Sequence, residues 1–141
     1  MEQILEAAKS LPLYKLAPRA VMITEGGKTG KLYILKSGDL EVVREGSSVA
    51  AIAEPGSVIG DMSVLLDEPH SATVRTRGGA EVYIAENPDA FLEAHPPVAR
   101  HIAKILALRL QKTTALLVDM RRQSKVREDH EMFDKIFALL K

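Results

Sequence analysis

The 141-residue chain has no Cys and no Trp, and aromatic residues make up only 4% of it. Without Cys there is no disulfide scaffold, no thiol nucleophile and no Cys-based zinc or iron–sulfur site. No apolar run exceeds a few residues, which excludes a membrane span. The first ten residues carry acids and no unbroken apolar stretch, so they do not read as a signal peptide. The four His (70, 95, 101 and 130) show no ligand-type spacing, and no metal site is expected. What is present is ordinary for a folded chain. Apolar residues are 46% and charged residues 27%, the balance of a globular protein with one domain's worth of core. A cytoplasmic protein is expected.

Charge of one sign is also missing, since 19 Lys plus Arg meet 19 Asp plus Glu for a formal net charge of zero. That zero hides an asymmetry. Residues 1–96 hold 9 Lys/Arg and 14 Asp/Glu, a balance of −5, and residues 97–141 hold 10 and 5, a balance of +5. The chain therefore reads as an acidic body followed by a basic arm.

The body opens with an amphipathic helix over 2–9, with Ile4, Leu5 and Ala8 at helical spacing. Pro12 and Pro18 end that pattern. Short β-type runs follow at Val21–Thr24, Lys31–Lys36, Leu40–Arg44, Val49–Ala53, Ala72–Thr76 and Glu81–Ile84. Lys36–Ser37–Gly38–Asp39 reads as a hairpin turn between two of them, and Gly46–Ser47–Ser48 as a second. The texture is mainly β, of a small antiparallel sandwich or barrel. After Asn87–Pro88 it becomes helical. Phe91 and Leu92 lie on a short helix stopped by Pro96 and Pro97, and a long helix spans about 97–122.

On the long helix Ala99, Ala103, Leu106, Leu110, Thr113, Leu117 and Met120 fall at alternating steps of four and three, a heptad seam. Val98, Ile102 and Ile105 form a second stripe on its first half only. The first half is then expected to pack on the β body while the seam meets a partner helix. An identical helix about a two-fold axis is favoured over the chain's own C-terminal helix as that partner.

The segment with most chemistry in it is Pro55–Val74, PGSVIGDMSVLLDEPHSATV. Gly60 lets backbone approach a ligand closely, and the amides of Asp61, Met62 and Ser63 open a short helical turn whose positive end suits an anion. Ser71 adds a hydroxyl donor.

These residues resemble the phosphate-binding cassette of cyclic-nucleotide-binding domains, whose pattern runs Pro-Gly, Gly-Glu and then Arg-Ser/Ala-Ala-Thr-Val. Pro55-Gly56, Gly60-Asp61 and Pro69-His70-Ser71-Ala72-Thr73-Val74 fit without a gap. Leu32–Leu35 with Gly38 and Val42-Val43 matches the upstream hairpin, and Phe91, Pro96 and Ala107–Leu110 match the closing helices. The likeness covers about residues 12–120 and is nearest the bacterial catabolite-activator/FNR-type sensor domains. It implies an eight-stranded, jelly-roll-like antiparallel β-roll, flanking helices and a parallel dimer through the long helix. On that basis residues 1–122 are the sensor domain with its dimer helix, and 123–141 a basic linker and short amphipathic helix.

The resemblance also implies roles. Gly60 and the amides of Asp61, Met62 and Ser63 face the cyclic phosphate and ribose, and Asp61 replaces the family Glu that accepts from the ribose 2′-hydroxyl. Ser71 and Ala72 border the phosphate, and His70 stands where the family has its phosphate-binding Arg. Losing that bidentate, always-charged contact costs about 1.5–3 kcal/mol, or roughly ten- to a hundred-fold in affinity. Strand alternation places Ser71, Thr73, Arg75 and Arg77 on one face and His70 on the other, with Arg75 the candidate cation to reach the ligand. Arg109-Leu110-Gln111-Lys112-Thr113-Thr114 is similar to the dimer-helix run whose hydroxyls recognise the adenine amino group. Thr113 is equally a register-setting polar residue in the seam.

The implied ligand is 3′,5′-cyclic AMP, with cyclic GMP second, and no cofactor. The alternative is a degenerate relative that has lost the nucleotide and serves as a dimeric interaction module. A hydrolytic triad of Asp61, His70 and Ser71 is excluded, since neighbouring strand residues point to opposite faces. Arg121, Arg122, Lys125 and Arg127 form a basic cluster, but the segment after it is one short helix with Met132, Phe133, Ile136, Phe137 and Leu140 on one side. A helix-turn-helix needs two helices, so no sequence-specific DNA binding is expected.

Overall fold

The computed structural model describes residues 2–140; Lys141, read from the sequence as the end of the last helix, lies outside them. The chain divides into two compact units, one up to Arg100 and one from His101. In chain order the elements are α1 (Glu2–Ala8), β1 (Leu13–Leu16), β2 (Val21–Ile23), β3 (Leu32–Arg44), β4 (Ser47–Ile52) and β5 (Val58–Ile59). There follow α2 (Asp61–Leu66), β6 (Thr73–Ala85), α3 (Pro88–Ala94), α4 (Pro96–Gln123) and α5 (Arg127–Leu139).

In the first unit β3 and β6, each 13 residues long, pair antiparallel from Leu32 opposite Ala85 to Val43 opposite Thr73. β1 and β2 attach to β6, and β4 and β5 attach to β3, completing an antiparallel sheet of six strands among the described residues. A core cluster forms on the sheet from Ile23, Tyr33, Leu35, Leu40, Ile59, Val74, Ala80 and Val82. Leu35, Leu40 and Val82 are wholly buried, and each such side chain contributes about 1.5–3 kcal/mol of transfer free energy. α1 contacts β3 and buries Ile4 and Ala8, as its helical spacing predicts.

Three expectations are corrected. The resemblance implies eight strands, but six form, because β3 and β6 each run unbroken where two shorter runs are expected. Accordingly Lys36–Asp39 is not a hairpin turn. Gly38 does take the positive φ (88°) that a turn would use. It lies opposite Ala80, with a register shift on each side, so the strand bulges and bends instead of reversing. The second expected turn lies one residue earlier than read. Glu45 (φ 52°) and Gly46 (φ 79°) link β3 to β4, while Ser47 and Ser48 already pair in β4.

α3 starts as its sequence suggests. Pro88 is in its first turn and the Asn87 side chain accepts from the Ala90 N–H at 3.2 Å. On α4, Val98 and Ile102 are buried at 1% and 4% exposure. The seam is open by comparison, with Ala103 and Thr113 exposed, Leu110 at 48% and Met120 at 47%, and Ala99, Leu106 and Leu117 half-buried.

In the second unit only Ser124–Val126 separate α4 from α5, which begins at Arg127, ahead of the Glu131 start that the apolar side suggests. Glu128 and Asp129 in its first turn suit the helix dipole. The Asp129 carboxylate accepts from the Ser124 hydroxyl at 2.8 Å, and His130 Nε2 lies 2.7 Å from the Ser124 carbonyl. Arg121 reaches Asp134 with two nitrogens, at 2.8 and 3.2 Å, which ties α5 back to the end of α4. Phe133 is the buried residue of α5.

The bulge gives a direct test. A Cβ on Gly38 would stand 2.7 Å from Ala80 Cα and meet the Gly79 carbonyl, whereas one on Gly78 meets nothing. Gly38→Ala is expected to lower unfolding free energy by about 2–3 kcal/mol and Gly78→Ala to leave it within about 0.5 kcal/mol. Urea denaturation of the two variants measures both; equal midpoints would remove the bulge from this role.

Candidate ligand site

The cassette is built outward from β3. Gly56 (φ 89°) is buried and its N–H donates to the Leu35 carbonyl at 2.8 Å, while the Leu35 N–H donates to the Ser57 carbonyl at 2.9 Å. β5 then pairs with β3 and delivers Gly60. Gly60 is left-handed (φ 90°), and a Cβ there would sit 2.9 Å from the Lys31 carbonyl. Glycine is therefore demanded by the fold itself, and α2 starts at the very next residue.

Asp61 and Ser63 are both buried at 7% exposure on this helix of six residues, and Met62 between them is 52% exposed. The Ser63 hydroxyl donates to the Glu68 carbonyl, and the Glu68 N–H donates back to the Ser63 carbonyl at 3.1 Å. Ser63 thus closes the loop internally. Asp67, left-handed at φ 53°, ends α2. Its carboxylate meets Lys28 Nζ at 2.7 Å, and that hydrogen bond and charge hold its pKa below the usual carboxylate value.

His70 is buried at 6% exposure, and Ser71 beside it is exposed. The main chain of His70 pairs with the loop before β3: its N–H donates to Gly27 O and its carbonyl accepts from Gly26 N–H, both at 2.8 Å. Ring Nε2 shares a 3.0 Å hydrogen bond with the Thr29 hydroxyl, which also accepts weakly from Lys31 N–H. Burial lowers the imidazole pKa, so the ring is neutral near pH 7. The expected phosphate position is thus occupied by a structural His with one ring nitrogen already engaged. Ala72 is half-buried and leads into β6, whose next residue, Thr73, accepts at its hydroxyl from Glu25 N–H at 2.9 Å.

Arg75 does not turn toward the cassette. It meets Glu41 at 3.0 Å, and Arg77 meets the other oxygen of Glu41 at 3.2 Å. The two guanidiniums lower the Glu41 pKa, with the Arg75 hydrogen bond foremost. Thr113, exposed, and Thr114, half-buried, belong to α4 in the second unit. An open groove of about 560 Å³ between β1, Ser37–Gly38 and Gly78–Glu81 shares no residue with the cassette.

The sequence reading missed the loop of residues 24–31. Its contribution came from Thr29 and Lys28, each more than thirty residues from its partner. The available signal was the density of Gly26, Gly27 and Gly30 around two lysines.

A family model described as the cyclic nucleotide-binding domain matches residues 14–94, more than half the chain. The chain belongs to the cyclic nucleotide-binding domain family. It is 31% identical over 96 residues to a cAMP-dependent protein kinase regulatory subunit of Yarrowia lipolytica, covering 67% of this chain and 25% of that one. It is similar in structure to the catabolite activator protein of Thermus thermophilus, with a TM-score of 0.71, 25% identity, and coverage of 84% of this chain and 58% of that one. A cyclic nucleotide-binding domain of Methylobacillus flagellatus shares the fold, with a TM-score of 0.65 and 17% identity over 84% of this chain and 83% of that one. The chain therefore spans a quarter of the Yarrowia subunit and somewhat over half of the Thermus protein. No helix among the described residues is long and apolar enough to cross a membrane.

The buried imidazole predicts an acid sensitivity. Because the folded state lowers the His70 pKa, its neutral form stabilises the fold above the unfolded value near 6.5, and that stability is lost as pH falls through the folded value. Most carboxylates stay ionised between pH 7 and pH 5, so melting temperature in this window reports largely on His. Wild type is expected to lose melting temperature from pH 7 to pH 5, and His70→Gln to lose less. Parallel slopes for the two proteins would contradict this.

Proposed function

We propose that this chain is a regulatory sensor domain that binds a cyclic nucleotide, cyclic AMP ahead of cyclic GMP, in the Pro55–Val74 cassette. The observation that carries this reading is the Gly60–Asp61 corner, where a fold-required glycine with no side chain is followed by a buried carboxylate. Bare backbone allows the close approach of a cyclic phosphate, and the carboxylate accepts hydrogen bonds from a ribose hydroxyl. The amides of Asp61, Met62 and Ser63, the exposed Ser71 hydroxyl, Ala72 and His70 complete the proposed lining. Thr113 and Thr114 are proposed to meet the base, which favours adenine through its amino group. Asp61 is one methylene shorter than the family Glu, so this contact is longer or runs through water.

The output is proposed to be a population shift. A nucleotide that interacts differently with two arrangements of α4 biases them by its differential affinity and nothing more. α4 is proposed to pair with α4 of a second copy through Ala99, Ala103, Leu106, Leu110, Thr113, Leu117 and Met120. The partly open apolar residues of that seam support this pairing. A second reading, a dimeric interaction module without nucleotide, is favoured by one observation: the His70 Nε2 is engaged by Thr29.

Calorimetric titration separates the two readings. Saturable heat with cyclic AMP, and weaker binding of cyclic GMP, is the expected result; no heat with either at millimolar ligand would overturn the first reading. Independently, sedimentation should give a dimer mass for wild type and a monomer mass for Leu110→Glu/Leu117→Glu. A wild-type monomer at high concentration sinks the seam pairing.

A further inference from the structure

The cassette has a charge problem. Pro55–Val74 contains Asp61, Asp67 and Glu68 but no Lys or Arg, and a phosphate entering it brings another negative charge. His70 is buried and hydrogen-bonded to Thr29, so it is not available as a permanent cation. Arg75 and Arg77 are committed to Glu41. Binding an anion there needs a positive charge from elsewhere.

Resting on the function proposed above, we propose that Lys28 is the cation that answers the ligand's phosphate. Lys28 directly follows Gly27, whose carbonyl lies 2.8 Å from the His70 amide, and Ser71 directly follows His70. The loop is thus stitched so that Lys28 and the phosphate-side hydroxyl flank the same pair of hydrogen bonds. The Lys28 ammonium already lies on the cassette, 2.7 Å from Asp67 Oδ1, with the two side chains 46% and 87% exposed. Among the described residues of the first unit, Lys28 is the cation ion-paired to a cassette residue; Lys31 turns instead to Glu86, at 3.9 Å. An exposed pair such as Lys28–Asp67 is weak and exchanges easily. On ligand entry Lys28 leaves Asp67 for a phosphate oxygen, as a flexible point charge and not as a fork. A lysine on a loop thereby takes over the charge that the family places on an arginine inside the cassette.

The test is calorimetric titration of the full chain with cyclic AMP at low and high salt, in wild type, Lys28→Met, Lys28→Arg, Lys31→Met and Asp67→Asn. Lys28→Met should weaken binding on the order of ten-fold and flatten its salt dependence. Lys28→Arg should stay within about three-fold of wild type, and Lys31→Met should match it. Asp67→Asn, which frees the ammonium, should tighten binding. Equal affinity of wild type and Lys28→Met, or a loss on Asp67→Asn, overturns the role of Lys28 alone. Lys28→Arg losing as much as Lys28→Met overturns it too, since charge would not be what matters. A wild type that does not bind at millimolar ligand overturns this inference together with the function on which it rests.

Discussion

Every strand of the sheet is attached to β3 or β6, and those two are attached to each other. That single long pairing, from Leu32–Ala85 to Val43–Thr73, is the constraint on which the rest hangs. β5 is only two residues long and has no independent stability; it exists because β3 offers it an edge. The Pro55–Val74 cassette contains β5, which pairs with β3, and runs into the first residues of β6, so both of its ends are anchored on that one pair of strands. The bulges around Gly38 matter for this reason. They bend two long strands together across two register shifts, and the pairing resumes on either side.

Within that frame the cassette is tied to its neighbours by main-chain bonds at both ends, with side-chain contacts added to them. Gly56 and Ser57 bond to Leu35, and His70 bonds to Gly26 and Gly27. Of its side chains, Ser63 is used to close the loop and His70 to reach Thr29. Its exposed residues include Met62, Leu65, Leu66, Asp67, Glu68 and Ser71. The acidic balance of residues 1–96 makes such a site intrinsically unfriendly to anions. Any affinity for phosphate therefore depends on short-range donors and on a locally supplied charge.

How much of this was legible depended on the range of each interaction. The Gly60–Asp61 corner, the start of α3 at Asn87–Pro88 and the burial of Ile4 and Ala8 are local, and residue spacing sufficed to find them. Lys36–Asp39 was misread because the local signal is ambiguous in principle. A glycine at positive φ serves a hairpin and a bulge equally, and the difference lies in Ala80, forty-two positions away. The same limit hid Thr29 behind His70 and Glu41 behind Arg75. Strand alternation places Arg75 on an exposed face of β6, but His70 and Ser71 precede that strand, and alternation says nothing about which partner waits across the ladder. The zero net charge was least informative of all, because it averages an acidic sheet and a basic helical arm.

The replacement of the family arginine by His70 links these threads. An arginine at that position is long, always charged and wants an anion. A histidine is short, tolerates burial as a neutral ring and can bond a hydroxyl. Placed behind the cassette, it turns inward to Thr29 and joins the loop to the cassette through a side chain as well as two main-chain bonds. A neutral ring there brings no charge to the cassette, and its contact with Thr29 adds to the main-chain bonds that hold the loop carrying Lys28. The compensation proposed above draws on that one geometry, since the loop bonded to His70 is the loop on which Lys28 stands.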